Sequence, residues 1–264
     1  MAEIFSPPRT CRRAQARGLR GGWSLDVVAK CGLTGKTYDL LQESDQQRAK
    51  MMVQRDKPAL LVASPPCTAL SVMQNLNQPV KGEVMRNAIR MVDFAVEMCM
   101  LQYKAGRKFV FEHPSTSRAW RLPSLMKLAE LNGMCAVDFD QCMFGQTAVG
   151  KDGVRGLAKK RTRVMTNSEI IDKLLDRQCS RDHEHVPLTG GRAAKAAAYP
   201  TAMCDAFLDG ILMETEQRDS SLFVMDGMCD DAEIEGMTGI DDVSGEQLEP
   251  EKIMAARQQE MDGV

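Results

Sequence analysis

The sequence predicts an α/β fold: a Rossmann-like, mainly parallel, doubly wound sheet, followed by an acidic tail without regular structure. Three observations carry that reading. Short apolar runs end at prolines, helical stripes lie between them, and both patterns stop near residue 213 of the 264. Few polar positions alternate within the apolar runs, which suits parallel strands buried on both faces.

The clearest strand is the run from Pro58 to Ser64, ended by Pro65 and Pro66. Lys108 to His113, ended by Pro114, is the second. Cys135 to Phe139 and Arg163 to Thr166 are weaker, and Glu3 to Ser6, stopped by another proline pair, is a fifth. Between them, Met85, Ile89, Val92, Val96 and Cys99 repeat at four-three spacing and predict a helix from Glu83 to Lys104. A shorter helix is expected from Ser124 to Asn132, with Gly133 as its left-handed stop. Ser168 to Arg177 follows an Asn167 or Ser168 cap, and Pro200 opens a last helix to about Met213.

The formal net charge of −2 conceals a division. Residues 213–264 carry 15 acidic and three basic residues, so residues 1–212 hold a net +10. A basic body with an acidic tail points to a nucleic-acid partner, although a solvated surface explains the same numbers. The domain division expected is 1–213 for the α/β body and 214–264 for the tail. No apolar stretch is long enough to span a membrane. The start lacks a secretory pattern, and the nine cysteines form no regular framework. Reduced thiols and an intracellular site are expected. The methionines fall mostly at apolar helix positions and read as core filler.

Two segments carry chemistry. Cys67 follows a strand and two stiffening prolines, which places a thiol at the carboxyl edge of the sheet, where open α/β sheets bind ligands. The alternative is a buried structural cysteine. Glu112 emerges at the end of the second strand and should face the same crevice, as a general acid or as an ordinary capping carboxylate. His113, its neighbour on the strand, points to the other face and supports rather than reacts. A third cluster, Cys179, His183 and His185, has the donor chemistry of a zinc clip. The fourth ligand could be Cys142, Cys135 or water, and a polar loop with incidental histidines is the alternative.

Through most of the body the chain resembles the cytosine-5 DNA methyltransferases. Ser64-Pro65-Pro66-Cys67 with Ser71 is similar to the family's proline-cysteine motif, and Glu112-His113-Pro114 to its glutamate motif with the last two residues changed. Lys160-Arg161-Thr162-Arg163 is similar to the paired arginines. Phe5 and Ser6, Asp26, Asp39 and Pro65 fall where the family holds S-adenosylmethionine, and Ala198-Tyr199-Pro200 through Gly210-Ile211 looks like the final segment. The resemblance implies that Cys67 attacks carbon 6 of a cytosine, that Glu112 activates the ring at nitrogen 3, and that Arg161 or Arg163 steadies the base. It also implies a base taken out of the duplex and, for genomic DNA, a nuclear location. Two departures stand beside it. Ser6-Pro7-Pro8-Arg9 replaces a glycine-rich turn, and only a short insert, 167–191, replaces the target-recognition region. A catalytically inactive nucleic-acid-binding module is therefore the second reading. Asp241 to Glu246 and the charged stretch to Met261 resemble a linker of copia-like retroelement polyproteins, which implies a retrotransposon fragment.

Overall fold

The computed structural model describes residues 1–71, 82–189, 192, 196–226, 239–240 and 247–248. The chain divides into two units, 1–214 and 215–264. In the first, the elements run β1 (Ala2–Ile4), α1 (Thr10–Ala16), β2 (Trp23–Leu25), α2 (Glu43–Asp56), β3 (Leu60–Ala63), α3 (Gly82–Lys104) and β4 (Lys108–Pro114). They continue with α4 (Pro123–Ala129), β5 (Cys135–Asp140), β6 (Thr147–Val149), β7 (Arg155–Leu157), β8 (Arg161–Thr166), α5 (Glu169–Leu175) and α6 (Thr201–Asp226).

Six strands form one sheet in the order β2-β1-β3-β4-β8-β5. β1 pairs in parallel with β2 and β3, and β3 in parallel with β4. β8 alone runs against its neighbours, antiparallel to β4 and β5. A separate antiparallel hairpin joins β6 and β7. The mainly parallel α/β architecture is thus as the sequence indicates.

Every residue of β3 is buried, because helices cover both faces of the sheet. Leu61, Ala63, Phe109 and Phe111 face Ala49, Met52 and Val53 of α2, Val92 and Ala95 of α3, and Leu125 and Leu128 of α4. Leu60, Val62, Val110 and Val164 face Ile171 of α5 and Met203 and Phe207 of α6. α1 is tied to α6 by Arg13 on Asp205 at 2.7 Å and Arg17 on Asp209 at 2.6 Å. The chain leaves β1 toward β2 and leaves β3 toward β4, in opposite directions. The sheet therefore has a switch point between β1 and β3, and a crevice is expected beyond their carboxyl ends.

Several boundaries differ from expectation. β1 ends at Ile4 rather than Ser6, because Phe5 turns to a positive φ of 58°. β2, α1 and α2 had no clear signal. β2 is three residues long, and α1 buries only Thr10, Cys11 and Ala14. α4 stops at Ala129, and Gly133 takes φ 75° beyond it. α6 continues to Asp226 because no proline or glycine follows Gly210 within that stretch to stop it. In the second unit, α6 thus occupies 215–226 of the expected irregular tail, and Gly239–Ile240 pairs with Gln247–Leu248. Apart from those pairs, the stretch resembling a retroelement linker lies outside the described residues.

Gly210 is where α6 crosses α5: a Cβ there would meet Cγ1 of Ile171 at 2.4 Å. Ile171 is fully buried and has nowhere to go. Gly210→Ala is expected to cost about 1–3 kcal/mol by overpacking, against the roughly 1 kcal/mol that alanine normally gains in a helix. Urea unfolding of the two proteins gives the sign; a stabilised variant would show that the α5–α6 contact is looser than described.

Candidate functional site at the carboxyl ends of β3 and β4

The loop after β3 carries Cys67. Pro65 is buried, Pro66 is exposed, and the chain then enters a 3₁₀ turn over Thr68–Leu70 with Cys67 at its head. The turn after β4 holds this loop from below. Ser117 Oγ donates to the Leu70 carbonyl at 3.3 Å, and Arg118 donates to the Ala69 carbonyl at 3.2 Å. The two strand ends therefore fix each other's loops.

Glu112 and His113 take opposite faces of β4. Glu112 lies opposite Val164, on the α6 side of the sheet, and is only 6% exposed. Tyr199, just ahead of α6, donates to Glu112 Oε2 at 2.9 Å and shares a short hydrogen bond with Ser64 Oγ. Lys160 Nζ stands 3.9 Å from Oε1. That oxygen is buried and has no hydrogen-bond partner among the described residues. Burial and the neighbouring Glu112 push the Tyr199 hydroxyl well above its ordinary range, so it is a donor at neutral pH.

Cys67 is half-buried. Burial raises its thiol above the ordinary range, Glu112 raises it further, and Lys160 opposes both. Parallel pairing of β3 with β4, with Ala63 opposite Phe111, brings the Cys67 loop and Glu112 to the same edge of the sheet. His113, fully buried, stacks on Phe111 at 6.2 Å and meets Trp120 edge-on at 6.4 Å. Burial holds it down at about 4, against a rise from the Pro66 backbone, so the ring is neutral.

The two arginines are engaged elsewhere. Arg163 forms a two-pronged pair with Asp138 of β5 at 2.5 and 3.1 Å, and its guanidinium lies 5.5 Å from the Trp120 ring. Arg161 bonds Gln178 at 2.9 Å and sits 3.7 Å from Asp140. The cation beside Glu112 is Lys160, the residue before Arg161 in the same basic run. The sequence pattern singled out the run but not this member, nor Tyr199 as the partner of the carboxylate and Ser64 as the partner of Tyr199; alternation along β8 decides the first, and packing of the stretch ahead of α6 decides the others.

Phe5, Ser6, Asp26 and Pro65 all stand at the carboxyl ends of β1, β2 and β3. Phe5 N–H bonds the Leu25 carbonyl at 2.9 Å, and the ring meets Phe94 edge-on at 6.3 Å. Ser6 is spent internally: its hydroxyl donates to the Pro7 carbonyl at 2.9 Å, and its carbonyl accepts from Ser24 Oγ. Asp26 Oδ1 accepts from the Val28 and Ala29 N–H groups at 2.8 Å. The Tyr38 N–H on the Asp26 carbonyl at 2.9 Å brings Asp39 alongside. Asp39 accepts from Leu41 N–H and from the Gln42 side chain, both at 3.0 Å. The N-terminus of α1 is closed by buried Glu3, whose carboxylate accepts from the N–H groups of Arg9, Thr10 and Cys11 at 2.9–3.0 Å.

A second constellation lies past β5. Ligand atoms of Cys142, Cys179, His183 and His185 all fall within 4.8 Å of one another, so this cluster could hold a metal ion. His185 also lines a cavity of about 640 Å³ between the β6–β7 turn (Lys151, Asp152, Val154) and the stretch through Arg192.

The electrostatics at Cys67 are testable without any substrate. Removing the negative neighbour with Glu112→Gln is expected to lower the apparent pKa of Cys67. Lys160→Met, which removes the positive one, is expected to raise it. The pH dependence of iodoacetamide labelling at Cys67, read by peptide mass spectrometry, measures both; identical profiles would mean that neither group faces the thiol. No family model matches the chain, and a search of curated proteins finds no significant relative.

Proposed function

We propose that the chain is a cytosine-5 DNA methyltransferase-like protein with Cys67 as nucleophile. One observation carries the reading: a thiol and a buried carboxylate stand at the ends of neighbouring parallel strands, and one carboxylate oxygen has no hydrogen-bond partner among the described residues. A buried oxygen of that kind calls for a donor from a ligand. A cytosine ring held there would present nitrogen 3, with its exocyclic amine, to Glu112 and carbon 6 to the sulfur of Cys67.

Each residue then has a task. Cys67, once its proton has left, forms the bond to carbon 6 and makes carbon 5 electron-rich. Glu112 Oε1 would meet the nitrogen 3 edge of the ring, and a proton shared between the two offsets the negative charge that builds as electrons move into the ring. Tyr199, itself held by Ser64, donates to the other oxygen and fixes the carboxyl rotamer. Lys160 offsets the negative charge on Glu112 and favours the thiolate. Once carbon 5 carries the methyl group, a solvent base would take the carbon 5 proton, its electron pair would re-form the 5,6 double bond, and the sulfur–carbon bond would break to release Cys67 as thiolate.

S-adenosylmethionine supplies the methyl group in this reading. Asp26 at the end of β2 is placed as an acceptor for ribose hydroxyls, with Asp39 beside it. Glu3 occupies the N–H groups of residues 9–11, and Pro7 and Pro8 have none, so the first turn offers no phosphate cradle. A donor without phosphates does not need one, so Asp26 and Asp39 are what support this reading, while the closed turn leaves few backbone donors for the cofactor. Zinc is the ion we assign to the Cys/His cluster.

The closed turn at Glu3 and the raised thiol pKa also favour the second reading, a catalytically inactive nucleic-acid-binding module that uses the +10 of the body. Two measurements separate the readings. Active protein is expected to form a denaturation-resistant adduct on DNA containing 5-fluorocytosine in the presence of S-adenosylmethionine. The adduct should vanish in Cys67→Ser and form at least about a hundredfold more slowly in Glu112→Gln. Calorimetry with S-adenosylmethionine should give heat of binding. Neither adduct nor heat, with salt-dependent DNA binding that survives Cys67→Ser, would establish the inactive module. No DNA binding at low salt would end both readings.

A further inference from the structure

The geometry points to a closed, structural zinc centre formed by Cys142, Cys179, His183 and His185, which pins residues 176–189 to the end of β5. Two of the donor spacings match those of a tetrahedral zinc site, and all four donors lie within 4.8 Å of one another. Zinc bonds of about 2.3 Å to sulfur and about 2.0–2.1 Å to nitrogen put neighbouring sulfur and nitrogen about 3.6 Å apart. Cys179 Sγ lies 3.7 Å from His183 Nε2 and 3.5 Å from His185 Nε2.

The outer contacts agree. Asp182 Oδ1 is 2.7 Å from His183 Nδ1, which leaves Nε2 turned toward Cys179. A carboxylate on the far nitrogen is the usual partner of a metal-bound imidazole. The fourth donor is Cys142, in the turn directly after β5. Cys135 begins the same strand, and a strand of that length separates its ends by roughly 20 Å. Four protein donors fill a tetrahedral ion, so no position is left for water or substrate, and the centre holds structure rather than catalysing a reaction.

The segment needs such a pin. None of residues 176–189 is buried, and none lies in a helix or strand. Its ties to the rest are scattered polar contacts, among them Asp140 N–H on the Arg177 carbonyl at 3.1 Å, Cys179 N–H on Asp140 Oδ2 at 3.0 Å, Val186 N–H on the Leu157 carbonyl at 2.7 Å, Arg161 on Gln178 at 2.9 Å and Arg192 on the Pro187 carbonyl at 2.9 Å. With so little apolar area to bury, an ordered path calls for bonds of another kind. Because His185 belongs to both the cluster and the cavity beside the β6–β7 hairpin, the ion also sets one wall of that cavity.

The full-length chain, purified with zinc and examined by native mass spectrometry, is expected to carry one zinc ion. Cobalt replacement is expected to give the visible absorption of a tetrahedral thiolate site. Cys142→Ser and Cys179→Ser should weaken zinc binding at least about tenfold, the lower end for loss of a metal-site interaction, while Cys135→Ser should retain it. Chelation should expose Arg177 and Arg181 to trypsin at least tenfold faster, an increase we set as the threshold for release of the segment. A chain that binds no zinc, or whose zinc affinity is unchanged in Cys142→Ser, overturns the site. Zinc bound with unchanged cleavage overturns the pinning. None of these readouts involves DNA or a methyl donor, so they stand or fall apart from the proposed catalysis.

Discussion

The buried carboxylate of Glu112 constrains everything around it. At 6% exposure, it must find partners within the protein. Tyr199 supplies one hydrogen bond, Ser64 holds Tyr199, and Lys160 supplies charge. Those residues come from the end of β3, the entry to β8 and the residues ahead of α6. One carboxylate therefore ties three parts of the chain to the carboxyl edge of the sheet, and it keeps one oxygen in reserve.

The sheet makes this arrangement possible. Parallel pairing of β3 with β4 brings two loops out on the same side, and Ser117 and Arg118 clamp the loop that carries Cys67. The reversed strand β8 places its alternate residues on opposite faces. Lys160, at its entry, reaches Glu112, while Arg163 turns to Asp138 and Trp120. The same alternation puts His113 among aromatic rings as a neutral wall of the core. A thiol held near a carboxylate at rest is poorly ionised, so the reaction proposed depends on a ligand that takes up the free oxygen of Glu112 and relieves that repulsion.

The short insert follows a different physical rule. Most of the first unit is held by apolar burial on both faces of the sheet, whereas residues 176–189 bury no side chain. They make scattered polar contacts, and three of the four thiol and imidazole donors that converge on one point belong to them. That division lets a small, exposed segment keep a defined shape beside a cavity without a core of its own.

The sequence by itself determined the alternation of buried strands and helices. In β3, β4 and α3 the apolar pattern is long and local, so burial can be read directly from spacing. It also pointed to Cys67 and Glu112 sharing an edge, one just past a strand and the other near the end of the next, and to Cys179, His183 and His185 forming one group, since they lie within seven residues. It did not reveal α1, α2 or β2, whose buried positions are few and scattered among polar ones. Tertiary structure alone decided that Lys160 rather than Arg161 or Arg163 faces Glu112, that Tyr199 carries its second oxygen, and that Cys142 rather than Cys135 completes the Cys/His cluster. Each of those choices depends on strand register and on contacts between residues far apart in the chain, which local spacing does not encode.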